Sequence, residues 1–177
     1  MTSDRSLYHK IKVVLDVAKS VSVSSIVELR AEIHGQKPSL FFSKRYNPVT
    51  DHFDEDISEQ IIRKTLNVCR LLGLLGEDGR LTSSGREALR KTRFDAVISE
   101  LVHKLFAERN INLHKLNEII RKNLQADPPI LPTSKELWQV TGTSMSKGTF
   151  ARMLTLLTHC GAAHSSQKRI YLRFVVD

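Results

Sequence analysis

The chain has 177 residues, which allows one domain or two small ones, and 41% of them are hydrophobic, enough for folded cores. A formal net charge of +8 and a sequence pI of about 9.7 favour an anionic partner, with nucleic acid first among them. No apolar run approaches the roughly 18 residues of a spanning helix, so no membrane partner is expected. The polar start, Met1 to Arg5, lacks the apolar core of a signal peptide, so the expected location is cytoplasmic, or nucleoid-associated if the chain binds DNA.

Taken in order, Tyr8 to Val21 sets Ile11, Val14, Leu15, Ala18 and Val21 on one side of an amphipathic helix. Ser22 and Val23 form a brief extended break. A second helix opens at Ser25, where Glu28 completes a capping box, and Gly35 is its natural stop. Between Gly35 and Asp56 the periodicity lapses into a basic, aromatic half (Phe41, Phe42, Lys44, Arg45, Tyr46) and an acidic half (Asp51, Asp54, Glu55, Asp56). This insertion, 35–56, reads as a long loop whose aromatic residues anchor on the core, with a nucleic-acid-binding or partner-binding loop as the alternative.

The next helix is expected over Asp56 to Leu75, capped by Asp56 with Glu59. Ile57, Ile61, Thr65, Val68, Leu72 and Leu75, with Ile62, Leu66 and Cys69, form its apolar flank. Gln60, Arg63, Lys64, Asn67 and Arg70 share the opposite side, a set able to hydrogen-bond base edges and phosphates. The Asp78-Gly79 pair marks a tight hairpin, Arg80-Leu81-Thr82 a short strand, and Ser84 with Glu87 a further capping box. Ser84 to Arg109 then reads as one long helix with a broad apolar surface, either a bridge between two units or a homodimer contact.

The second half repeats the plan. Leu113 to Leu124 is an amphipathic helix ended by Asp127-Pro128-Pro129, and Ile130-Leu131 supplies a short edge strand. Thr133 and Glu136 cap a short helix closed by Gly142. Ser146 to Cys160 is a third helix, with Phe150, Met153, Leu154, Leu157 and Cys160 inward and Lys147, Ala151, Arg152, Thr155 and His159 outward. Ala162 to His164 and Ile170 to Val175 are strands around a basic tip that carries Lys168 and Arg169.

The run Leu71-Leu72-Gly73-Leu74-Leu75, then Asp78 to Thr82, then Gly85 to Leu89 resembles the recognition helix, wing and following helix of bacterial winged-helix DNA-binding proteins. The resemblance implies a mainly α fold with short β hairpins, two winged-helix units joined by a long helix: residues 1–83, a linking helix over 84–109, and 110–177. It also implies a non-enzymatic protein that binds double-stranded DNA, as a regulator or as the recognition subunit of a larger nuclease or defence assembly. The DNA-binding residues would be Gln60, Arg63, Lys64, Asn67, Arg70 and Arg80 in the first unit and Lys147, Arg152, Thr155, Lys168 and Arg169 in the second. The alternative is a winged-helix protein-interaction adaptor in a DNA-processing or chromosome-organising complex, with 35–56 as the partner-binding element.

No phosphate-binding glycine loop, Cys-x-x-Cys pair, His-Glu-x-x-His helix or Gly-x-Ser-x-Gly elbow occurs, so neither catalysis nor a cofactor is expected. Two candidate metal sets are visible, and neither is expected to bind a metal ion. Asp54 with Asp56 lacks a partnering lysine or histidine, and His159, Cys160 and His164 would point different ways. Cys69 and Cys160 read as small hydrophobes with no disulfide between them.

Overall fold

The first amphipathic stretch folds as α1 (Arg5–Val17) in a computed structural model that describes residues 5–21, 23, 25–36, 38–47, 49, 51–90, 92–130, 132–166 and 169–174. The protein is mainly helical with short antiparallel ribbons, and it divides into two compact units, Met1–Phe94 and Asp95–Asp177.

In the first unit α1 is followed by α2 (Ile26–Gln36), whose first turn is held by the Glu28 N–H donating to Ser25 Oγ at 3.4 Å. Between them the Val23 N–H donates to the Gly79 carbonyl at 3.1 Å, so the extended break is tied to the hairpin that lies 56 positions later in the chain. A 3-10 turn (Pro38–Phe41) leads into β1 (Phe42–Asn47) and β2 (His52–Ile57), and α3 spans Glu59–Leu71. Ile11, Val14 and Leu15 of α1, Leu29 and Ile33 of α2 and Ile62 of α3 have no solvent exposure, and the three helices pack pairwise around them. This is the burial that their apolar spacing demands.

The expected loop over 35–56 is instead a hairpin. The segment supplies strand-favouring aromatic residues at Phe42, Tyr46 and Phe53, and Asp51 takes the left-handed φ of 54° needed in the turn. The pairing draws Asp56 into β2, so α3 starts later than expected and is capped by Ser58, whose Oγ accepts the Ile61 N–H at 3.4 Å.

After α3, Leu75 and Leu81 form a bridge that closes the hairpin around Gly79. The next helix, α4 (Ser83–Ala88), is capped by Thr82 accepting the Gly85 N–H at 3.0 Å, two residues before the expected Ser84 box. Gly85 is obligatory here, because a Cβ at that position would stand 2.1 Å from the Leu74 carbonyl oxygen. The single helix expected over 84–109 is divided: α4 ends at Ala88 and α5 runs Phe94–Glu108. Continuing α4 would stack Arg86, Arg90 and Arg93 at spacings of four and three, an unfavourable like-charge row. The chain turns instead through Thr92 at φ 73°.

In the second unit α6 (Leu113–Leu124) is capped by Asn112, α7 (Ser134–Thr141) by the full Thr133–Glu136 box, and α8 (Lys147–His159) by Ser146. Phe106 of α5 stacks on Phe150 of α8 at 5.6 Å within a core that includes Ile98, Leu116, Leu137, Met153 and Leu157. β3 (Ala163–Ser166) and β4 (Arg169–Phe174) pair antiparallel, with an irregularity between His164 and Ser166. The edge strand expected at Ile130-Leu131 does not form at Ile130, which is an exposed coil residue, and Leu131 lies outside the described residues.

Candidate nucleic-acid interface

α3 separates its two faces as the spacing requires. Ile62, Thr65, Leu66, Val68 and Cys69 are buried, and Thr65 is tolerated there because its hydroxyl donates to the Ile61 carbonyl at 2.9 Å. Gln60, Arg63, Lys64 and Asn67 are exposed on the other side. Gln60, Lys64 and Asn67 have no hydrogen-bond or ionic partner among the described residues, and Arg63 is held only by Glu59 at 3.7 Å, one turn back. Such an exposed pair at i,i+4 is weak enough to yield to a phosphate or a base edge. Arg70, at the end of the row, is half-buried, and its Nε is shielded from water without a hydrogen-bond partner among the described residues. Arg80 is the remaining first-unit candidate. It lies exposed on the hairpin with its Nε 3.9 Å from Asp78, so its charge is partly offset.

The acidic run before α3 is less of a barrier than its sequence suggests. Asp56 accepts from Arg30 Nη2 at 2.7 Å and from the Ile57 N–H at 2.7 Å. The Arg30 guanidinium, and secondly that backbone bond, hold the Asp56 carboxyl below its ordinary value of 3.8. The β1–β2 register places Lys44 opposite Glu55 and Arg45 opposite Asp54 along the backbone. Arg30 was not among the residues singled out from the sequence. Its partner lies 26 positions away, and only an unpaired Arg on the flank of α2 hinted at it.

In the second unit Lys147 is exposed, while Arg152 and Thr155 are half-buried. Thr155 donates its hydroxyl proton to the Ala151 carbonyl at 3.0 Å, and Thr158 donates to Leu154 in the same way at 3.0 Å. Lys168 lies outside the described residues, as does the side chain of Arg169; the Arg169 backbone pairs with Ser166 at the end of the ribbon.

α3 and α8 are closed by one pattern. Each starts at a serine cap, and Ser146 Oγ accepts the Thr149 N–H at 3.2 Å. At the far end the Leu74 N–H reaches the Cys69 carbonyl at 2.8 Å, and the Ala162 N–H reaches the Leu157 carbonyl at 2.9 Å. Gly73 at φ 65° and Gly161 at φ 74° supply the left-handed residue that this kind of ending needs. The two helices can therefore be laid in register from Ser58 on Ser146 to Gly73 on Gly161. In that register the buried Ile62, Thr65, Leu66, Val68 and Cys69 match the buried Phe150, Met153, Leu154, Leu156 and Leu157, and Lys64 matches Arg152.

Cys69 is fully buried, and desolvation pushes its thiol up to about 12, so it is a packing residue and not a nucleophile. Among the described residues no three His, Cys, Asp or Glu side chains are grouped to hold a metal ion, and no helix is long and apolar enough to cross a membrane. Comparison of the chain with protein-family models, with curated proteins and with solved structures finds no match.

Proposed function

We propose that the protein is a non-enzymatic binder of double-stranded DNA, built from two winged-helix units that present α3 and α8 to the duplex. The observation that carries this reading is the exposed row of α3. Gln60, Arg63, Lys64 and Asn67 stand together on one side of a helix whose other side is buried, and their donors are unclaimed or weakly held. The net charge of +8 and the matching register of α8 support it. Phosphate contact would come from Lys64, Arg70 and Arg80 in the first unit and from Lys147 and Arg152 in the second, with Lys168 and Arg169 added by the basic tip.

Titration of a fluorescent duplex across a KCl series tests the proposal. Binding should weaken steeply with salt, with a log–log slope of about −0.9 for each phosphate neutralised. Arg63→Gln and Arg152→Gln should each reduce affinity. No duplex binding at about 50 mM KCl would overturn the proposal, since counterion release is strongest at low salt.

A second reading is favoured by the β1–β2 ribbon, whose two strands pair only with each other among the described residues and so leave two edges for strand addition. On that reading the protein is an adaptor that takes an extended segment of a partner protein. Absence of duplex binding, with Arg63 and Arg152 variants indistinguishable from the parent chain, is the outcome that would favour it.

A further inference from the structure

The two presented helices share a register but not a chemistry. We infer that α3 determines which DNA sequence is preferred while α8 anchors the phosphate backbone without reading bases. This rests on the duplex-binding reading above.

In the common register Gln60 stands where α8 has Gly148, Arg63 where it has Ala151, and Asn67 where it has Thr155. Base edges in a major groove are read by paired hydrogen bonds, Arg on guanine and Asn or Gln on adenine. α3 carries all three of these side chains exposed. α8 carries none of them at the matching positions: Gly148 and Ala151 have no hydrogen-bonding side chain, and the single Thr155 hydroxyl proton already goes to the Ala151 carbonyl. Both helices keep a cation at one matching position, Lys64 or Arg152, and a charge common to both suits the phosphate backbone, which is common to every duplex.

The charge around each helix points the same way. From Leu137 to Val176 the chain contains no Asp or Glu, while Lys147, Arg152, Lys168, Arg169 and Arg173 fall within that span. Attraction of a polyanion there is unopposed by any carboxylate of the same segment. On α3, Glu59 lies 3.7 Å from Arg63, and the position on α8 that matches Glu59 in the common register is Lys147. A helix in that setting is poorly suited to supply bulk electrostatic affinity, yet its polar row is well suited to directional contacts.

Selection from a library of randomised duplexes, combined with salt-dependent titration of the full chain, separates the two roles. Arg63→Ala and Asn67→Ala should change the preferred sequence, each lowering discrimination at its own base pair by about tenfold or more. Lys147→Gln and Arg152→Gln should weaken all duplexes by one common factor and reduce the log–log salt slope by about 0.9 each. Thr155→Val should leave both preference and slope unchanged. Lys147 is exposed, so its variant keeps the α8 arm readable even if Arg152→Gln loses its fold on circular dichroism. The assignment is overturned if any α8 variant alters base preference, if the α3 variants leave it intact, or if the parent chain binds all duplexes equally. Absence of binding at low salt would instead remove the duplex-binding reading, and this assignment with it.

Discussion

The first unit leads into α3 through a 3-10 turn and a hairpin, whereas the second leads into α8 through the eight-residue helix α7. Both connectors end by fixing the cap of the helix that follows, and each uses one aromatic residue to do it. Phe41 has no solvent exposure, and its carbonyl accepts the Ser58 N–H at 2.9 Å. Trp138 is half-buried, and its Nε1–H donates to the Met145 carbonyl at 2.7 Å, one residue before the Ser146 cap. The same placement is thus reached by ring burial in one unit and by a directed hydrogen bond in the other. A presented helix depends on where its cap is held, and connectors with unrelated secondary structure can hold it equally well.

That contrast sets the sizes of two effects. Phe41→Ala removes a fully buried ring and should cost about 3–5 kcal/mol in denaturant unfolding, although its carbonyl can still accept the Ser58 N–H. Trp138→Phe keeps an aromatic ring but deletes the donor and leaves the Met145 carbonyl without it, so about 1–2 kcal/mol is expected. If Trp138→Phe proves as costly as Phe41→Ala, ring packing and not the Nε1 bond holds the second connector.

Sequence periodicity revealed the helices better than it revealed what joins them. The α6 bounds and the Thr133–Glu136 box follow directly from the spacing of Leu113, Leu116 and Ile120 and from a local cap, because each is decided within one or two helical turns. The polar row of α3 was legible for the same reason. The β1–β2 hairpin was not, because its two strands differ in composition and their backbone pairing joins residues 5 to 15 positions apart, Asn47 with His52 and Phe42 with Ile57. Read along the chain, these residues look like a basic half and an acidic half of a loop. The break between α4 and α5 was hidden by a continuous apolar pattern, which carries no signal for the left-handed turn at Thr92. On α8, Thr155 has the right residue type and position for base contact, and only the bond to Ala151 shows that its proton is in use. The buried Nε of Arg70 is likewise a property of packing that spacing does not encode.

The smallest effect belongs to the ion pair that ties the hairpin to α2. Arg30 keeps the Asp56 carboxyl ionised to lower pH in the folded chain than in the unfolded one, with the Ile57 N–H adding to the same effect. A carboxyl whose folded value is depressed binds protons less readily than in the unfolded chain, so unfolding takes up a proton at low pH. The stability from this pair is therefore fully present above the ordinary value of 3.8 and is lost as pH falls through the lower folded value. Asp56→Asn should reduce stability slightly at pH 7 and pH 5, by the same amount at both, since the pair is exposed and water screens it. Below pH 3.8 the two proteins should converge in thermal melts, and raising the salt should narrow their difference at neutral pH. A difference that persists unchanged at pH 2 would mean that Asp56 holds the hairpin through the neutral hydrogen bond to Ile57 and not through its charge.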